Sequence, residues 1–277
     1  MKRLTSRHHP LVAACRAIAR GGDTGGRMLL DGPHLVEEAL GSAVEIEAAV
    51  LDAAFAASEE GAAILHGLAG AGIDALTAAR PVLEAMSPVT HPSGIVAIAR
   101  RPPTEMARAL GGALPLAVVG VDVQDPGNVG AIVRAAEAGG ATGAIFCGAS
   151  ADPLGWKALR GSMGSALRLP LAVASSAGEA IAAARRAGLR VVAAVVRGGD
   201  LLHESDFTPP TALLVGGEGG GLGPEVIAAA DAAVVIPMTP PVESLNVSVA
   251  AALLVYEARR QRVLAAARPK GTGRQAT

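Results

Sequence analysis

Aromatic residues are scarce in this chain: one Trp, one Tyr and three Phe among 277 residues. Half of the residues are apolar all the same (51%), so Ala, Val, Leu and Gly must fill the interior, which suits helices packed closely on a parallel sheet. Cysteine is nearly absent too. Cys15 and Cys147 are too few and too far apart for a disulfide framework, and no Cys/His cluster has metal-site spacing, so no metal is expected. Cys147 ends the apolar run Ala144-Ile145-Phe146-Cys147 and reads as a small buried hydrophobe. There is no run of about 18 uncharged apolar residues, which argues against a membrane span. The opening MKRLTSRHHP lacks the long apolar segment of a secretory signal, so a cytoplasmic protein is expected. Missing as well is an excess of either charge: 24 Lys and Arg stand against 25 Asp and Glu. The chain is no polycation, and contact with nucleic acid would need a local basic surface. Two segments offer one. Residues 2–27 carry Lys2, Arg3, Arg7, Arg16, Arg20 and Arg27 against Asp23, and the tail carries Arg259, Arg260, Arg262, Arg268, Lys270 and Arg274. For the tail, a solvated chain end is the simpler reading.

What is present falls into two rhythms. In residues 1–100, helical stretches at 10–20 and 34–40 alternate with short strand-like runs at 28–30, 44–50 and 94–99, a small α/β module. The run Arg100-Arg101-Pro102-Pro103-Thr104 reads as a linker, because paired prolines continue neither a helix nor a central strand. Domain limits of 1–100, a linker at 101–112 and a second domain at 113–277 follow. Beyond the linker, apolar strands at 116–121, 142–147, 169–173, 190–196, 212–215 and 233–236 alternate with helices at 129–138, 156–162, 178–187, 224–229 and 247–266. Such alternation predicts an α/β fold on a parallel sheet, with ligands at the carboxyl ends of the strands.

Three loops after strands hold the unusual residues. In the first, 122–134, Asn128 stands where a helix N-cap is expected and Arg134 follows nearly two turns later. A capped helix with a solvated cation explains both as well as a function does. The second, 216–223, has six glycines in eight residues around Glu218, before Pro224 at a helix start. No frame within it gives the G-x-G-x-x-G of dinucleotide sites, which disfavours an NAD-linked oxidoreductase. The carboxylate would also repel a pyrophosphate, so a nucleoside-like ligand fits better. The third runs Ile236-Pro237-Met238-Thr239-Pro240-Pro241-Val242-Glu243-Ser244-Leu245-Asn246 into a helix, with capping again the plain reading of Asn246. The six histidines form no triad or metal set; His8 and His9, beside Arg7, suit a surface loop better than an RNA contact. Trp156 suits either a stacked base or a place in a core or interface.

Taken together, Asn128-x-Gly130-Ala131-Ile132-x-Arg134, then Gly216-Gly217-Glu218-Gly219, then Ile236-Pro237-Met238 with Ser244-Leu245-Asn246-Val247-Ser248 resemble the three motifs of the SpoU/TrmH RNA ribose methyltransferases, in order and spacing, over about residues 114–265. The run 31–39 is similar to the α/β RNA-recognition domain often fused to that catalytic domain. The resemblance implies a parallel-sheet methyltransferase domain with a deep trefoil knot near 213–247, preceded by the smaller α/β RNA-binding domain, in a homodimer. It implies S-adenosylmethionine as cofactor, held by Gly216, Gly217, Ile236, Met238 and Leu245. Arg134 matches the family's catalytic arginine, with Asn128, Glu218, Ser244 and Asn246 as the other catalytic positions. The expected reaction is methyl transfer to a ribose 2′-hydroxyl of structured RNA, with 23S-type ribosomal RNA favoured. A transfer-RNA substrate and a non-catalytic RNA-binding protein of the same fold are the alternatives.

Overall fold

The computed structural model describes residues 2–22 and 25–267. Asp23 and the tail cations Arg268, Lys270 and Arg274 lie outside the described residues. The chain divides into two compact units, one of Met1–Glu105, Gln124–Arg134 and Ser150–Leu171, the other of Met106–Val123, Ala135–Ala149 and Ala172–Thr277.

The elements of residues 2–105 are β1 (Arg3–Leu4), α1 (Pro10–Ala19), β2 (Arg27–Asp31), α2 (Pro33–Leu40), β3 (Ile46–Asp52), α3 (Ala53–Ala56), α4 (Glu59–Gly70), β4 (Leu76–Ala78), α5 (Arg80–Met86) and β5 (Ile95–Arg100). Proline opens α1, where its missing N–H costs nothing, and His9 caps it, Nδ1 accepting the Leu11 N–H at 3.2 Å. The strands form one sheet in the order β1-β4-β3-β5-β2, parallel where β4 meets β1 and β3, antiparallel where β5 meets β3 and β2. A core of Leu4, Val12, Cys15, Ile18, Leu29, Val50, Leu83 and Val96 joins the sheet to α1 and α5. Sequence periodicity misses α4 and α5. In α4, Ser58 caps the helix by accepting the Gly61 N–H at 3.1 Å, but Gly61, Gly67 and Gly70 interrupt its apolar pattern.

Residues 106–267 contribute α6 (Met106–Ala109), β6 (Leu116–Val121), α7 (Pro126–Ala138), β7 (Gly143–Cys147), α8 (Trp156–Ser162), a 3-10 turn at Ser165–Leu167, β8 (Leu171–Ala174), α9 (Ala177–Arg186), β9 (Arg190–Val195), β10 (Asp200–Leu201), β11 (Thr211–Gly216), α10 (Pro224–Ala228), β12 (Ala232–Val235) and α11 (Val247–Ala267). The seven strands run β10-β12-β9-β11-β6-β7-β8. From β10 through to β7 every neighbouring pair is parallel, the pattern expected from continuous apolar strands. Boundaries shift by a few residues. Leu169 is outside β8 because Pro170 offers no ladder N–H beside it. The core of the second unit is Ala- and Val-rich, with Val119, Val121, Ile145, Ile181, Leu214 and many alanines. Phe146 and Phe207 are the largest fully buried side chains. Among the described residues no helix is long and apolar enough to cross a membrane.

Candidate active site

In the second unit the carboxyl ends of β9, β11 and β12 surround a cavity of about 720 Å³. That is the end at which open parallel sheets hold their ligands. Its wall takes Val195 to Arg197 from the end of β9, the glycine loop after β11, Ile236 and Met238 after β12, and Glu243 to Val247 leading into α11. Gly216, Gly217, Glu218, Ile236, Met238, Ser244, Leu245 and Asn246 thus all line one space, although up to 30 positions separate them in the chain. Reading the sequence missed Val195, Val196, Arg197, Ile227 and Glu243. The apolar strand ending at Val195 was visible, but nothing in its composition tied it to the glycine loop.

The glycine loop folds so tightly that side chains do not fit. The Gly217 N–H donates to the Val121 carbonyl at 2.8 Å, and the Gly221 N–H turns back to the Gly217 carbonyl at 3.2 Å. A Cβ on Gly217 would run into the Asp122 carbonyl oxygen, and one on Gly216 into the Gly221 backbone. Asp122 itself bends the chain at the end of β6 with φ 54°, its carboxylate accepting the Ala149 N–H at 2.7 Å. Backbone therefore forms much of this wall, and it offers amides and carbonyls rather than side chains to a ligand.

Asn246 performs two tasks with one carboxamide. Its Oδ1 accepts the Ser248 N–H at 2.9 Å and the Ser248 hydroxyl at 2.6 Å, which caps α11. Its Nδ2 donates to Glu218 Oε1 at 3.5 Å, joining the third loop to the second. For Asn246 the capping and the site readings coexist.

Asn128 is different, and the expectation that it caps a helix is corrected. The helix begins at Pro126 rather than 129, and Asp125 caps it, Oδ1 accepting the Asn128 N–H at 2.8 Å. The shift follows from Pro126, which suits the first helical position and moves the start back by three residues. With capping assigned to Asp125, the half-buried Asn128 side chain sits inside the first turn of α7. Gly130 on the same helix passes so close to α8 that a Cβ would meet the Ala158 carbonyl oxygen and, at 2.8 Å, the Ser162 nitrogen. Arg134 is exposed, and among the described residues its guanidinium makes no hydrogen bond or ion pair. Asn128 and Arg134 belong to the first unit by contact, the cavity residues to the second. Cys147 is buried as expected, and burial pushes its thiol up to about 11, which leaves it a poor nucleophile. Among the described residues no three His, Cys, Asp or Glu side chains gather as a metal site.

Comparison with known proteins matches residues 115–256 to the SpoU rRNA methylase family. An uncharacterized tRNA/rRNA methyltransferase of Synechocystis sp. is 34% identical over 93% of each chain. The 23S rRNA (guanosine(2553)-2'-O)-methyltransferase RlmP of Bacillus subtilis is 30% identical over 83% of this chain and 88% of its own. The crystal structure of the SpoU methyltransferase AviRb from Streptomyces viridochromogenes with AdoMet superposes with a TM-score of 0.83 at 29% identity, over 92% of this chain and 99% of the other. With a family model spanning half of its length and relatives spanning nearly all of it, the chain belongs to the SpoU rRNA methylase family.

Proposed function

We propose that the protein transfers a methyl group from S-adenosylmethionine to a ribose 2′-hydroxyl of ribosomal RNA, as a 23S-type enzyme working in the cytoplasm. The observation that carries this reading is the cavity at the strand ends, in which glycine backbone, apolar side chains and an Asn246–Glu218 pair meet. Its charges suit the cofactor. The lining has two carboxylates, Glu218 and Glu243, and one guanidinium, Arg197, while S-adenosylmethionine has two cationic groups and one carboxylate. Gly216, Gly217, Ile236, Met238 and Leu245 hold the adenosine, with Ser244 at the rim. Bound there, the cofactor supplies an electrophilic methyl on its sulfonium sulfur.

The chain's own residues align the ribose and manage its charge. We assign Arg134 an electrostatic and positioning role rather than that of a base, since a guanidinium offers only donors. An exposed guanidinium without a partner among the described residues suits a phosphate next to the target ribose, and from there it stabilises the alkoxide as it develops. Asn128, nearly two turns earlier on α7, orients the same strand. Glu218 and Asn246 hold the two loops of the cavity in register.

The architecture we infer is a knotted SpoU domain at 113–277 after an RNA-binding module at 1–100, joined by 101–112, with the knot near 213–247. A homodimer completes it. On α11, Val249, Leu253 and Tyr256 repeat at i, i+4 and i+7 and stay 46%, 41% and 50% exposed, a stripe that a second copy would cover.

The test is transfer of labelled methyl from S-adenosylmethionine to total RNA of a strain lacking the protein, with wild type and Arg134→Ala in parallel. Label in ribosomal RNA as a 2′-O-methyl nucleotide, lost in the variant, is the expected result. Label in transfer RNA moves the substrate. No label, despite cofactor binding, turns the reading to an RNA-binding protein without activity.

A further inference from the structure

The first unit has a second concavity, of about 390 Å³, between the end of α1 and the start of α8. Its walls are unlike those of the cofactor cavity. Arg20, Arg101 and Lys157 bring three cations against one acid, Asp152, which Arg101 engages in an ion pair. Arg20 and Lys157 are exposed and have no ion pair among the described residues. Trp156 lines the same groove, half-buried, its indole N–H donating to the Ala19 carbonyl at 3.1 Å and the Lys157 ammonium lying over its ring, 5.4 Å from the centroid. That bond fixes the plane of the indole, and part of the ring packs on the core of the first unit while the rest faces the groove.

An aromatic ring flanked by cations is the chemistry that takes a nucleotide: the base stacks and the phosphates meet the cations. Pro126, which opens α7, is also on the wall, and Arg134 follows it eight residues later on the same helix, about 12 Å along the axis at the rise of an α-helix. A strand held in the groove would therefore lead toward the arginine.

We propose that this groove is a second RNA contact, in which an unpaired nucleotide near the methylated one stacks on Trp156 and its phosphates bind Lys157 and Arg20. The proposal rests on the methyltransferase reading only for the direction of the strand; its own content is RNA binding in the groove. It takes up the scattered cations of residues 2–27 only through Arg20. Arg16 is committed elsewhere, donating to the Ala85 carbonyl at 2.7 Å.

Two measurements test it on the full chain. Trp156 is the sole tryptophan of the sequence, so tryptophan emission reports on this groove alone. Titration with an unmodified 23S ribosomal RNA transcript should change that emission saturably, at the concentrations where filter binding sees the complex. The double variant Arg20→Glu/Lys157→Glu should bind the same transcript about tenfold or more weakly, and single alanine variants should each lower the slope of log affinity against log salt by about one. S-adenosylmethionine binding should stay unchanged in all of them, and KM for RNA should rise with kcat little altered. Emission that ignores bound RNA, or a double variant that binds RNA like the wild type, overturns the proposal. The second outcome would hand the groove to a protein partner. Neither outcome touches the methyl-transfer reading, which fails only if the wild type labels no RNA.

Discussion

The wall of the cavity proposed for the cofactor is in large part main chain: Gly216 and Gly217 have no room for a Cβ, and the side chains around them are mostly apolar, with Arg197, Glu218 and Glu243 as the charged groups. The groove in the first unit differs, with long cationic side chains around one indole. The difference matches the two ligands. A small nucleoside cofactor is recognised in detail, and close backbone gives fixed donors and acceptors at low entropic cost. A polyanionic strand is recognised by charge and by a flat face, for which flexible Lys and Arg on a stacking platform suffice. The cavity should accordingly fail when geometry changes by one methyl group, while the groove should fail only when charge is removed.

The sharpest test of that contrast is Gly217→Ala against Gly220→Ala. A methyl at 217 runs into the Asp122 carbonyl oxygen, whereas one at 220 meets nothing within 4 Å. We expect Gly217→Ala to weaken S-adenosylmethionine binding by at least about 100-fold and to destabilise the chain by roughly 1–3 kcal/mol, the usual range for overpacking. Gly220→Ala should melt like the wild type. Calorimetric titration and thermal unfolding of the pair decide it, and equal losses at both positions would show that loop mobility, not close packing, makes the site.

Next in size is Arg134. Removing the guanidinium should lower kcat by about 100- to 1000-fold, the range seen when one donor to a developing oxyanion is lost. The dissociation constant of the cofactor should not move. Arg134→Lys keeps the charge but not the two-pronged geometry, and should recover little of the rate. Near-normal turnover of the lysine variant would reduce the arginine to a point charge, making it resemble the cations of the groove.

These expectations also mark what the sequence reveals. The loops of the cavity stood out because glycine and proline leave compositional traces, and a site made of backbone concentrates them at strand ends. Ordered motifs then single out Asn128, Arg134, Glu218 and Asn246 individually as candidates. The groove left no such trace. Arg20, Arg101, Trp156 and Lys157 come from three distant stretches, and Trp156 alone reads equally as core. Arg197 and Glu243 escaped for the same reason, since their place in the wall depends on how β9 and the third loop fold around β11. Within the fold, long apolar strands and α11 were evident. The two-residue β1 and β10 carry too little pattern to register, and the capping role expected of Asn128 fails because Pro126 moves the helix start back to itself.

A smaller effect separates the two roles of Asn246. Asn246→Ala removes the α11 cap, at a cost of about 1 kcal/mol, together with the bond to Glu218. Asn246→Ser restores a capping oxygen but not the Nδ2 donor. If the Asn246–Glu218 link matters to the cavity, Asn246→Ser melts nearly like the wild type yet binds the cofactor as weakly as Asn246→Ala. Recovery of both properties in the serine variant would leave Asn246 as a cap alone.

The smallest expected effect compares one carboxylate from each unit, buried in the first and open in the second. Asp31 in the first is 3% exposed, and burial raises its carboxyl above the ordinary range, against the opposing pull of the Ser87 hydroxyl at 2.5 Å and Arg160 at 3.0 Å. Asp231 in the second is more open, and the Val191 N–H, 2.8 Å from it, holds its carboxyl below that range, helped by Arg185. The signs are opposite. A raised carboxyl adds stability that is complete below about pH 3.9, the unfolded value, and is lost as pH rises through its folded value. A lowered one adds stability that is present above about pH 3.9 and disappears as pH falls through the folded value. Asp31→Asn should therefore be least favourable in acid and improve, relative to the wild type, as pH rises. Asp231→Asn should cost most near neutrality and least in acid. Urea midpoints of both variants across that pH range read the two trends directly. Parallel trends would mean that Arg160 pairs with Asp31 strongly enough to outweigh its burial, so that this carboxylate behaves like the open one in the second unit.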